Sequence, residues 1–177
     1  NIRIVVDSSG NVMSGKTTLG TANVGCEMRA DGLLVATRAA APAGIFRMDS
    51  ATGEIVRFQN GNTDVGSIDI DSDSTSYNTS SDYRLKENVE YDWDATTRLK
   101  QLKPARFNWI SDDTNRTIDG FLAHEAQAVV PECVTGTHNE VDDDGNAVMQ
   151  GIDQSKLVPL LVKTILELEE RITALEG

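Results

Sequence analysis

The chain has 177 residues, enough for one ordinary domain or two small ones. Its 16 Lys and Arg against 28 Asp and Glu leave a net charge of -12, which weighs against a nucleic-acid partner, since neutralising phosphates takes basic clusters, and fits a soluble, self-repelling exterior. No apolar run approaches the ~20 residues of a membrane span, so no membrane insertion is expected.

Aromatic residues make up only 5% of the chain, and the part before residue 80 is dominated by Gly, Ser, Thr, Asn and Asp. That part has too few large apolar groups for a core of its own and is expected to bury surface between chains. Asn1–Val6 reads as a strand rather than a signal peptide, followed by a turn at Asp7–Gly10. Short strands follow at Leu33–Thr37, Ile45–Met48, Ile55–Phe58 and Val65–Ile70. Between them lie the turns Asp49–Gly53 and Asn60–Asn62, where Gly and Asn supply the positive φ that such turns need. The pattern predicts a stalk in which several chains wind around one axis. Asp71–Ser81 is a polar tract, read as an extended connector and domain boundary.

Beyond it the composition changes. Asp94–Leu102 is predicted to be helical and Ala105–Ile110 and Ile118–Ala123 to be strands. His124–Val130 reads as a short helix stopped by Pro131, and Glu140–Met149 as a hairpin around Asp144 and Gly145. From about 155 to 176 the chain reads as one helix, with Ser155 as N-cap and Pro159 in the first turns, where a missing N–H costs least. Val158, Leu161, Ile165, Leu168, Ile172 and Leu175 recur at heptad spacing, flanked by Glu167, Glu169, Glu170 and Arg171. The mix of Ile and Leu does not favour two strands over three. The stripe either joins copies of the chain or packs on its own domain, and joining is the expectation.

The segment Ser81-Asp82-Tyr83-Arg84-Leu85-Lys86-Glu87-Asn88-Val89 resembles the start of the peptidase S74 family, the intramolecular chaperones that end phage endosialidases, tailspikes and tail fibres. The resemblance continues through Leu102-Lys103-Pro104 with Phe107, Gly120-Phe121-Leu122-Ala123-His124-Glu125, Gly151-Ile152-Asp153 and Leu157-Val158-Pro159-Leu160-Leu161. It implies an α+β chain: a trimeric β-stalk over residues 1–81, then an α+β chaperone domain over residues 82–177 with a C-terminal trimeric coiled-coil helix. It implies a homotrimer that aligns the stalk and is released by autoproteolysis at Ser81–Asp82. The mature fibre then sits on the virion tail after assembly in the host cytoplasm, with a host cell-surface receptor as its candidate partner. The alternative is an uncleaved, non-enzymatic trimeric fibre tip that binds such a receptor.

The resemblance assigns Ser81 and Lys86 to the cut. A hydroxyl is a poor nucleophile until a base takes its proton, and a lysine serves once burial lowers its pKa. Ser81 Oγ reaches the carbonyl before it through a five-membered ring, but its own carbonyl only through a strained four-membered one. A cut after Ser81 therefore points to another attacking group, from Asp82, water or a neighbouring chain. Asp82 and Arg84 either position the scissile bond or pair as structural charges. His124 and Glu125 are candidates for proton transfer, against a plain structural role. No cofactor is expected. Two metal readings fail on spacing: Glu140, Asp142, Asp144 and Gly145 mimic a calcium loop, but the closing acid position holds Gly151, and Asp69, Asp71 and Asp73 lack both glycine and closing acid. Cys26 and Cys133 have no metal spacing and read as free thiols of a reducing compartment.

Overall fold

The structure, a computed structural model, describes residues 4–49 and 52–177. The chain is a mixture of α and β with several small sheets and one long C-terminal helix. It divides into two units, Asn1–Glu87 and Asn88–Gly177. The boundary lies beyond the Ser81–Asp82 junction, so the whole turn from Ser81 to Lys86 groups with the sheets.

The first unit opens with an antiparallel meander, β1 (Ile4–Val6), β2 (Val12–Ser14), β3 (Gly25–Met28) and β4 (Leu34–Thr37). Residues 1–3 of the predicted first strand, and Ser50 and Ala51 of the predicted turn, lie outside the described residues. The register gives the sheet two unlike faces, because directly paired residues share a face. Ile4, Val6, Val12, Cys26, Met28 and Leu34 share one face, and most of them are exposed. The other face carries Val5, Met13, Glu27 and Val35, of which Met13 and Glu27 are buried.

Burying Glu27 requires that its charge be met. Lys16 Nζ lies 2.6 Å from one carboxylate oxygen and donates to the Gly20 carbonyl at 2.8 Å, while Arg29 Nε donates to the other oxygen at 2.8 Å and the Gly20 N–H adds a 3.1 Å bond. The hydrogen bond from Lys16, aided by Arg29 and Gly20 against the opposing effect of burial, holds the Glu27 carboxyl at about 2. A carboxyl depressed on folding adds stability above its unfolded value, and that contribution is lost as pH falls. Hydrogen exchange at Met13 and Glu27 should therefore accelerate as pH drops from the ordinary glutamate range toward 2, after correction for intrinsic rates. In Glu27→Gln the sheet should be weaker at pH 7 and its protection flatter across that window.

The second sheet is β5 (Gly53–Asn60), β6 (Thr63–Ile70) and β7 (Thr75–Thr79), antiparallel in chain order. Gly61, at φ 59°, closes the first hairpin, as its sequence predicts. Two expectations are corrected. Ile45–Met48 forms no strand: no strand among the described residues pairs with it, and an isolated extended segment has no ladder to hold it. The polar connector 71–81 contains β7, whose side chains are all exposed. That strand is held by its backbone against β6, where Gly66 permits the approach, since a Cβ there would lie 2.6 Å from the Asn78 carbonyl oxygen.

The second unit packs a small core of Ala95, Ala126, Val130, Cys133, Leu157 and Leu160, flanked by Trp93, Leu99, Leu102 and Phe121. Its elements are α1 (Ala95–Leu99), the hairpin β8 (Ala105–Asn108) and β9 (Thr117–Gly120), α2 (Ala123–Gln127), the short pair β10 (Val134–Thr135) and β11 (Gly151–Ile152), and α3 (Val158–Glu176). Asp94 caps α1 by accepting the Thr97 N–H. Residues 140–149 make a single bridge, Val141 to Ala147, rather than two strands, because Asp142 draws in the N–H groups of Asp144 and Asn146. Ser155 is not the cap of the last helix. A 3-10 turn, Gln154–Leu157, precedes α3, and Asp153 caps it by accepting both the Ser155 N–H and its hydroxyl.

Candidate functional site

Between β7 and the second unit lies one 3-10 turn, Tyr83–Leu85. Asp82 starts it: its Oδ1 accepts the Arg84 N–H at 2.9 Å, and its backbone carbonyl accepts the Leu85 N–H at 3.1 Å. The Lys86 N–H closes the turn on the Tyr83 carbonyl at 3.1 Å. Arg84 folds back over the start, with Nε 2.9 Å from Asp82 Oδ1 and a terminal nitrogen 2.7 Å from Oδ2. This two-pronged bond to the guanidinium holds the Asp82 carboxyl below its ordinary range, with the Arg84 N–H and the nearby Lys86 charge acting the same way. The Arg84 pKa is raised by the same bond.

The turn brings the two ends of the motif together. Lys86 Nζ donates to Ser81 Oγ at 2.8 Å. Five residues of extended chain would hold these groups far apart; the turn shortens the path to hydrogen-bond length. Ser81, Asp82, Arg84 and Lys86 thus form one cluster on a single short segment, with all four side chains exposed in the single chain.

His124 and Glu125 belong to the second unit and have partners of their own. The His124 ring stacks on His138, with centroids 4.3 Å apart and planes at 27°. Glu125 Oε1 accepts from Lys103 Nζ at 2.9 Å. Sequence reasoning missed His138, which has no periodic signal, and the Asp82 cap, which the Asp-Tyr-Arg order could have shown: an Asx side chain commonly accepts the N–H two residues on. The seam residues on α3 form an exposed stripe. Among the described residues no group of three or more His, Cys, Asp or Glu side chains could hold a metal ion, and no helix is long and apolar enough to cross a membrane. Cys26 is exposed; Cys133 is buried, and that burial pushes its thiol pKa up.

A serine hydroxyl and a lysine amine joined by one tight turn define a candidate serine–lysine self-processing site at the end of a sheet unit. The Peptidase_S74 family model, chaperone of endosialidase, matches residues 81–135, beginning at Ser81 itself. The match suggests an intramolecular chaperone role of the kind found in phage tail proteins, and the family's peptidase name points toward self-cleavage without assigning residues to it. It ends before β11 and α3, so the similarity read at Gly151–Asp153 and along the last helix lies beyond the matched segment. No curated protein matches the chain.

Proposed function

We propose that this chain is the C-terminal part of a phage tail fibre or tailspike. In this reading residues 82–177 act as a homotrimeric intramolecular chaperone for the β-stalk of residues 1–81, and are released by one self-cleavage per chain at Ser81–Asp82. The observation that carries it is the 2.8 Å bond between Lys86 Nζ and Ser81 Oγ within the family-matched segment.

Two surfaces support assembly. The first sheet leaves Ile4, Val6, Met28 and Leu34 exposed on one face, an apolar surface of the kind that marks a contact between chains. The α3 seam is likewise uncovered: its own domain holds other residues of the helix, and Ile165 remains 63% exposed. A threaded stalk must bring three chain ends together before strands pair, which is slow; a clamp that assembles first raises their local concentration. Removing the clamp afterwards makes unfolding hard to reverse.

The cut is a hydrolysis. Water is consumed, the Ser81–Asp82 amide breaks, and a carboxylate at Ser81 and an amine at Asp82 result. The four-membered ring excludes Ser81 Oγ as attacker on its own carbonyl, so the attacking oxygen comes from Asp82, water or a neighbouring copy, with water completing the hydrolysis, and the Ser81–Lys86 pair moves the proton. A lysine acts as base when shielded from water, and both groups are exposed in the single chain. Neighbouring copies supply that cover, so cutting follows assembly.

Intact-mass spectrometry on the full chain, before and after the oligomer forms, tests the reading. Two fragments meeting at 81/82, appearing only with the oligomer, are expected. A chain that stays whole once assembled removes the peptidase and leaves the permanent fibre tip.

A further inference from the structure

Helix α3 carries two stripes. Leu157 just before it and Leu160 and Thr164 within it face the domain and are at most 4% exposed. Glu167 continues this inner stripe, accepting the backbone N–H groups of Ala95 at 2.9 Å and Thr96 at 2.8 Å, which ties the helix to the first turn of α1. The seam, Val158 to Leu175, runs beside the inner stripe at 42–87% exposure. Beyond the seam, on the side away from the domain, Val162 and Leu166 are exposed as well.

With Val158 as a heptad a position, Leu157, Thr164 and Arg171 fall at g, and Val162, Glu169 and Glu176 at e. The g side therefore belongs to the chain's own domain, while the e side is bare. Next to the g side opens a mostly apolar cleft of about 370 Å³, walled by Leu99, Leu102, Pro104, Phe121, Leu157 and Leu161, with Gln154 its one polar residue. Leu161 is both a seam residue and a wall of the cleft, so a copy laid on the seam covers its mouth.

We infer that this cleft receives Val162 of a second copy of the chain, in a parallel, in-register, head-to-tail ring. The inference rests on the trimeric reading above and adds which surface meets which. In a parallel pair each g residue faces the neighbour's e residue of the next heptad. Arg171 then meets Glu176, opposite in charge, while Leu157 is covered by its own domain, so the neighbour's Val162 is set against the cleft that Leu157 and Leu161 wall. An antiparallel pair sets e against e and g against g, so Arg171 no longer faces Glu176. Each copy offers its e side to the next copy's g side, a contact that three copies related by rotation close into the ring of the trimeric reading.

The test uses the full chain in a Cys26→Ser background carrying both Leu102→Cys and Val162→Cys. Mild oxidation should give a ladder of linked dimer and linked trimer on a denaturing gel, absent from either single cysteine variant. Ile172→Cys, at the seam, serves as the control for assembly alone, and sedimentation gives the native mass. Linked seam cysteines without the 102–162 ladder overturn the cleft assignment and leave the trimer standing; a monomer by sedimentation overturns both. As a second measurement, Val162→Asp should weaken association about tenfold or more, since it exchanges a buried aliphatic group for a charge. Unchanged association in that variant also overturns the assignment. Arg171→Glu should weaken association too, with recovery on adding Glu176→Arg.

Discussion

Ser81→Ala leaves the chain in one piece, and Lys86→Ala slows the cut by about 10²–10⁴-fold, the range for losing a positioned acid–base group. Both variants should still assemble, because neither residue belongs to the core cluster of the second unit or to the α3 seam. Lys86→Arg separates chemistry from placement. A guanidinium can still donate to Ser81 Oγ, but it does not release its proton in the working range, so the fibre should form and stay uncut. Intact mass and sedimentation on the same samples read the two effects independently. If Lys86→Arg cuts at the wild-type rate, Lys86 only positions the turn. If Ser81→Ala cuts normally, the hydroxyl has no part in the step.

Leu160→Ala and Leu161→Ala, one residue apart, should behave as opposites. Leu160 is 3% exposed within the core cluster, and truncating such a side chain typically costs about 2–5 kcal/mol of domain stability. Its effect should appear as a lower melting temperature at every protein concentration. Leu161 is 45% exposed in the single chain, so its truncation takes little from the isolated domain and much from the assembly. Its melting temperature should approach that of wild type at low concentration and fall behind as concentration rises, since association stabilises by mass action. Equal effects at all concentrations in both variants would mean that Leu161 has no partner beyond its own chain.

The stretch of greatest chemical interest was legible from the sequence as a motif and not as a geometry. Ser81 and Lys86 are named by resemblance, yet the 2.8 Å contact between them exists because Asp82 caps a 3-10 turn and Arg84 locks it. His124 was visible and its stacking partner His138 was not, since aromatic stacking across a loop leaves no periodic trace.

The sequence by itself determined the elements whose signals are local. Heptad spacing marked α3, and Asn60-Gly61 marked the hairpin between β5 and β6; Pro131 did not mark the end of α2, which stops at Gln127, and instead opens a 3-10 turn. Only the tertiary structure decided what depends on a partner strand or a packed neighbour. It formed β7 from a polar tract and left Ile45–Met48 without a ladder, because strand formation turns on pairing rather than on side-chain type. It also buried Glu27 beneath Lys16 and Arg29, and divided α3 into a stripe held by Glu167 and a seam left open. Hydrophobic spacing identifies an apolar stripe, but which side of the helix its own domain covers is set by contacts distant in sequence, such as Glu167 on the first turn of α1.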